Sequence, residues 1–226
     1  MKKMELRRVP YGMAFQAFGD EFVALDYING GVLAIRRDIW KNAAFDDNGV
    51  NDLRGASITD GLAEYLRKLL DGGADTGDIL EMSIDLKAVD GTREYGRYDN
   101  HVGLLTLEQY GKYQHIIPDV DGPWWLATPW RTPGEKFGGA AYASHVFASG
   151  NWSYFNCSNA GYAIRPALLF SSSLLVSIED EEAADEASLY SGYVDYVREW
   201  MDEDPDVGSS PMSYEEWKKD GGQEEA

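Results

Sequence analysis

The sequence predicts an α+β domain in which short helices flank small antiparallel sheets, followed by an acidic, partly helical extension. Three observations lead there. Apolar runs on either side of Asn29-Gly30-Gly31 make a hairpin signature. Two stretches, 60–71 and 106–116, place apolar residues at helical spacing behind capping residues. The charge is also divided. Residues 1–177 hold 22 acidic and 17 basic residues, a net of −5, whereas residues 178–226 hold 17 acidic and 3 basic, a net of −14.

The 226 residues suit one large domain, taken as 1–177, with an appendage from 178 to 226. A hydrophobic content of 44% is enough for a core, and 24 Gly with 14 Tyr favour a loop-rich β or α+β domain over a helix bundle. The formal charge of −19 repels phosphate backbones and anionic lipid surfaces, so nucleic acid is not expected as a partner. No apolar run is long enough to span a bilayer, so no membrane insertion is expected. Cys157 is alone, which rules out an intramolecular disulfide and a Cys-based zinc site; it reads as a small packed residue. Met1-Lys2-Lys3-Met4-Glu5 has no apolar run behind it, so synthesis in a cytoplasm without a cleaved signal is expected.

In chain order, Phe15, Phe18, Phe22, Val23 and Leu25 form strands before the Asn-Gly turn, and Val32, Leu33 and Ile35 follow it. Residues 41–58 are polar and turn-rich; the Asp46-Asp47 pair lacks the alternate spacing of a calcium loop. A helix is predicted over 60–71, capped by Thr59 or Asp60, with Leu62, Tyr65, Leu66, Leu69 and Leu70 on one face and Gly72-Gly73 as its stop. Residues 79–90 read as extended. Thr106-Leu107-Glu108-Gln109 is a capping box opening a helix to about Ile116.

The stretch from Gly122 to Phe170 frames the domain. Trp124, Trp125 and Leu126 read as a buried strand, and Phe155 also reads as core. Residues 141–147 and 152–155 read as two strands around Ser149-Gly150-Asn151. Residues 163–170 read as a last strand interrupted at Pro166, which suits an edge or a bulge. Between these frames lie Trp130, Arg131, Tyr142, His145, Phe147, Asn151, Trp152, Tyr154, Asn156, Asn159 and Tyr162. This mixture of rigid aromatics and amides has the composition of a contact surface, and each residue is open to display or to the core. Beyond 178, a helix is predicted over about 187–201, with Leu189, Tyr193, Val197 and Trp200 on a face open to docking on a neighbouring subunit. The extension is equally open to being solvated and partly disordered. A short helix is predicted over about 214–219.

The order of motifs resembles an uncharacterised domain family of bacterial and bacteriophage proteins. That family reads Trp-Trp-Leu-Arg-Ser-Pro, then an Ala/Tyr-Val segment ending in Gly, then Gly-Val-Arg-Pro-Ala-Leu. Here the counterparts are Trp124 to Pro129, Ala141 to Gly150, and Gly161 to Leu168 with one extra residue before Ile164. The stretches from Gly19 to Asp26, Asn51 to Arg54, and Leu104 to Tyr113 are similar to its earlier motifs, so the resemblance spans roughly 13–177. It implies a C-type-lectin-like fold, distantly similar to formylglycine-generating enzymes and to retroelement-diversified proteins, whose loops before the last strand present the ligand surface. Trp124, Trp125, Arg165 and Pro166 would then be structural. Ala127-Thr128 departs from the family's Arg-Ser.

No reaction is expected. Formylglycine-type chemistry needs paired Cys, no Gly-x-Ser-x-Gly element occurs, and His145 beside Ser144 or Ser149 lacks an orienting third group. No metal or cofactor is expected. The expectation is a non-enzymatic structural or adhesion protein, a bacteriophage capsid or tail subunit, whose partners are other virion subunits or a host-surface protein or glycan. The alternative is a bacterial lectin-like binding protein, including a retroelement target, and a more distant one is an enzyme of the formylglycine-generating fold.

Overall fold

Two tight turns organise the first sheet of the computed structural model, which describes residues 1–133, 139–179, Leu189, Tyr193, Tyr196 and 214–219. After β1 (Lys2–Glu5) come β2 (Ala14–Ala17), β3 (Asp20–Ile28) and β4 (Gly31–Arg36). The predicted turn at Asn29-Gly30 is present, with φ of 51° and 78°. A second turn of the same hand lies at Phe18-Gly19, with φ of 53° and 74°. Positive φ at both central residues matches the right-handed twist of the flanking strands, which is why two-residue hairpins use it. Phe18, read as a strand residue, is therefore a turn residue.

The middle of the chain supplies β5 (Lys41–Asn42), α1 (Ile58–Asp71), β6 (Ile79–Leu80), β7 (Met82–Asp85), β8 (Arg97–Asn100), β9 (Val102–Gly103) and α2 (Leu107–Tyr113). Helix α1 starts earlier than its sequence suggests, so Thr59 and Asp60 lie inside it and do not cap it. Ser57 precedes it, but its hydroxyl accepts from the Asp47 amide while its own amide donates to the Asp46 carboxylate. Ile58, Leu62, Tyr65 and Leu69 are buried; Leu70, predicted to share that face, is exposed. A side chain at Gly72 would meet the Phe18 carbonyl oxygen at 2.6 Å, so the helix stop also packs on the first hairpin. The capping box of α2 is complete, Thr106 and Gln109 each satisfying the other's amide. That helix ends at Tyr113, short of the predicted Ile116.

The last third holds β10 (Trp124–Pro129), β11 (Tyr142–Val146), β12 (Trp152–Asn156), β13 (Ala163–Ile164), β14 (Ala167–Ser171) and β15 (Leu175–Ile178). An eight-stranded sheet runs β1-β15-β2-β3-β4-β14-β6, with β9 also on β14. A five-stranded sheet runs β12-β11-β10-β13-β5, and β7 pairs β8. The predicted single strand 163–170 is thus two strands in two sheets, and Pro166 marks the crossing. It is neither an edge nor a bulge, because β14 is flanked by β4 on one side and by β6 and β9 on the other.

Arg165 holds this crossing. It is 1% exposed, and its guanidinium donates to the carbonyls of Arg36, Arg37 and Pro118 while lying 5.1 Å from the Trp124 ring centroid. Burial pulls its pKa down to about 10, so it stays charged at neutral pH, served by carbonyl oxygens. Ala127 and Thr128, which replace the Arg-Ser of the resembling family, are buried; the Thr128 hydroxyl accepts from the Leu107 amide at the start of α2.

The domain runs slightly past the predicted boundary at 177. Strand β15 pairs with β1 and β2 through Ile178, and the Gln16 amide donates to the Glu179 carboxylate. In the extension, Leu189, Tyr193 and Tyr196 are helical and α3 (Tyr214–Lys219) matches its prediction. Tyr193, assigned to a docking face, has its ring 5.9 Å from Trp217 of α3 and 6.1 Å from Tyr196, so it contributes to an aromatic cluster within the extension. Val197 and Trp200 lie outside the described residues.

Candidate binding surface

Among the described residues, the five-stranded sheet ends in β12, which pairs with β11 alone. Its register sets Val146 opposite Trp152, Ser144 opposite Tyr154, and Ala143 opposite Phe155. Phe147 donates its amide to the Asn151 carbonyl, and Cys157 donates to that of Ala141. These bonds fix the alternation of the ladder: Ser153 and Phe155 turn their main-chain groups toward β11, and Trp152, Tyr154 and Asn156 turn theirs outward. The sequence Trp-Ser-Tyr-Phe-Asn carries no charge, proline or bulge, the usual devices that blunt a sheet edge.

Aromatics cover both faces of this edge. On one face, Trp130 stacks on Tyr154 with centroids 3.7 Å apart, and Tyr142 meets Tyr154 edge-on at 6.0 Å. On the other, Trp125, Tyr162 and Phe155 form a continuous stack, with successive centroids 4.6 and 5.4 Å apart. Tyr142, Phe147, Trp152, Tyr154 and Phe155 are all exposed, Trp152 by 46%. Scattered exposed apolar residues are ordinary, but five within fourteen positions of one hairpin form a patch.

Of the predicted contact residues, Tyr142, Phe147, Asn151, Trp152 and Tyr154 are exposed, and Trp130, Arg131, Asn156 and Asn159 are half-buried beside them. Two do not belong to the surface. His145 is 0% exposed because it stands on β11 directly beside Trp125 of β10. Tyr162 is 8% exposed because its ring lies between Trp125 and Phe155. Conversely Phe155, read as core, is 43% exposed, since nothing flanks β12 on its outer side among the described residues.

Both ends of the hairpin are anchored. At its tip, Gly150 takes φ of 77° and its carbonyl accepts from the Tyr110 hydroxyl of α2. At its base, the buried Asn51 donates its side-chain amide to the carbonyls of Arg131, Gly139 and Tyr142 and accepts from the Tyr95 hydroxyl. The backbone amide of Asn51 also donates to Ala140. Asn51 was not singled out by its sequence context, because a lone Asn in a polar loop looks like any turn residue. Only the fold shows its four side-chain bonds.

The remaining chemistry is quiet. Burial pushes the Cys157 thiol up to about 12, leaving it a packed residue. Among the described residues, no three His, Cys, Asp or Glu side chains gather where they could hold a metal ion. An open cleft lined by Tyr11, Arg37 and His115 lies on the eight-stranded sheet, and its Arg37 is committed to Glu21 at 2.7 Å. No described helix is long and apolar enough to cross a membrane. Compared with known proteins, the chain matches no family model, no curated protein and no solved structure.

Proposed function

We propose that this chain is a non-enzymatic binding module that engages a partner through the β11–β12 hairpin. The observation carrying this reading is an uncharged edge strand with outward main-chain groups and aromatics on both faces, anchored at tip and base. Such an edge offers main-chain pairing for affinity and aromatic side chains for contact area. The hairpin precedes the last strands of the domain, where the resembling family would present its ligand. That resemblance supports a C-type-lectin-like fold and, through it, a phage capsid or tail subunit that meets virion neighbours or a host-surface protein or glycan. The extension is the candidate assembly element.

The test is retention of the purified full chain on a panel of intact bacterial cells and on virion proteins. The reference is a Trp152→Ser/Tyr154→Ser variant with unchanged circular dichroism. The reading expects retention on at least one surface, reduced tenfold or more in the variant. Equal retention of the two proteins would remove the hairpin from the interaction.

A further inference from the structure

His145 lies just under this surface with neither imidazole nitrogen hydrogen-bonded, although the ring is fully buried. Buried polar atoms without partners are uncommon and costly, and a phenylalanine would fill an apolar site without that cost. Four rings box the imidazole, all edge-on: Tyr162 at 4.5 Å, Phe147 at 4.6 Å, Trp125 at 6.2 Å and Phe155 at 6.4 Å. Trp125 and Tyr162 form the inner wall, and the exposed Phe147 and Phe155 form the outer one.

We propose that His145 is an acid-operated latch on the β11–β12 hairpin: in mildly acidic solution the imidazole takes a proton from solvent, leaves its aromatic box, and frees β12 from β11. This rests on the display role proposed above and gives that surface a regulator. Among the described residues, the groups facing His145 offer an imidazolium no counter-charge. From β10 comes Trp125; from β12 come Ser153 and Phe155; from the end of β11 comes Phe147; and from the segment entering β13 comes Tyr162. Of these only Tyr162 titrates, and burial pushes its phenol up, so it stays neutral. Burial alone holds the imidazole down, to about 4 against an ordinary 6.5. The yielding part is β12, because β10 is held on both sides whereas, among the described residues, β12 is held between its anchors by β11 alone.

The test is amide hydrogen exchange of the full chain by NMR, as protection factors at pH 7.5 and 5, with the His145 imidazole shifts followed in parallel. Linkage between a closed state titrating near 4 and an open one near 6.5 predicts that Ser153 and Phe155 lose protection about 30-fold at pH 5. Leu33 and Leu168 of the eight-stranded sheet should change less than about threefold, and in His145→Phe the loss at β12 should disappear. If that variant misfolds, the wild-type imidazole shifts decide. Titration near 6.5 with β12 still protected overturns the latch, as does equal loss of protection in both sheets or in the variant. None of these readings needs a ligand, so a failed partner search counts against the display reading alone.

Discussion

Phe22 and Trp152 are both large aromatics on β-strands, yet one is fully buried and the other nearly half exposed. The difference is sheet position. Phe22 stands on β3, flanked by β2 and β4, and its ring packs on Phe15 at 5.7 Å and Phe170 at 4.9 Å. Trp152 stands on β12, where the five-stranded sheet stops. In the eight-stranded sheet Phe15, Phe22 and Phe170 pack on one another, whereas the five-stranded sheet leaves several aromatics at a boundary. Hydrophobicity alone does not separate Phe22 from Trp152; the strands that flank them do.

Truncating an aromatic of the eight-stranded sheet should have the largest effect. Phe22→Ala or Phe170→Ala should cost about 3–5 kcal/mol in urea unfolding, through lost burial and the cavity left behind. Trp152→Ala should cost about 0.5 kcal/mol or less. A loss at Trp152 as large as at Phe22 would mean that β12 is core. Arg165→Met tests the joint between the sheets. It strands the carbonyls of Arg36, Arg37 and Pro118 and should cost about 3 kcal/mol by the same measurement.

Acid should separate the sheets. The folded imidazole of His145 titrates below its unfolded value, so the unfolded chain binds the proton first. Stability on that side is intact above about pH 6.5 and falls toward pH 4, by about 1.4 kcal/mol per pH unit at most. The eight-stranded sheet meets α1 through Asp20, whose carboxylate accepts from Arg36, Tyr65 and Lys68. Burial pushes Asp20 up, but those bonds outweigh it and hold it below its ordinary 3.8. Its contribution is therefore present above that value and lost only below it. Residue-resolved NMR intensities from pH 7 to 3 should show the hairpin changing first; simultaneous change would deny the difference. The smallest effect concerns Cys157. Its thiol should resist a disulfide reagent in native protein at pH 8 and react fully in urea, whereas rapid native labelling would place it at the surface.

Much of this architecture was legible from local chemistry. The Asn29-Gly30 turn, the Thr106-Gln109 capping box and the two apolar strands around Gly150 each carry their signal within a few residues. What escaped depends on distant partners. Nothing near Pro166 says that the chain changes sheets there, because the two sheets are set by β4 and β10, far away in sequence. His145 and Tyr162 have the residue types of a contact surface, and Phe155 that of a core. Their places are exchanged because Trp125 covers the first two and nothing described flanks the third. The bonding role of Asn51 escaped for the same reason, since its carbonyl partners lie 80–91 positions onward.

Amide exchange across β12 at pH 7 tests the display edge most directly. Alternation is expected, with Ser153 and Phe155 protected by β11 while Trp152, Tyr154 and Asn156 exchange at nearly free rates. Uniform protection of all five amides in the isolated chain would show that something already pairs this strand, and the edge would then be no free surface for a partner.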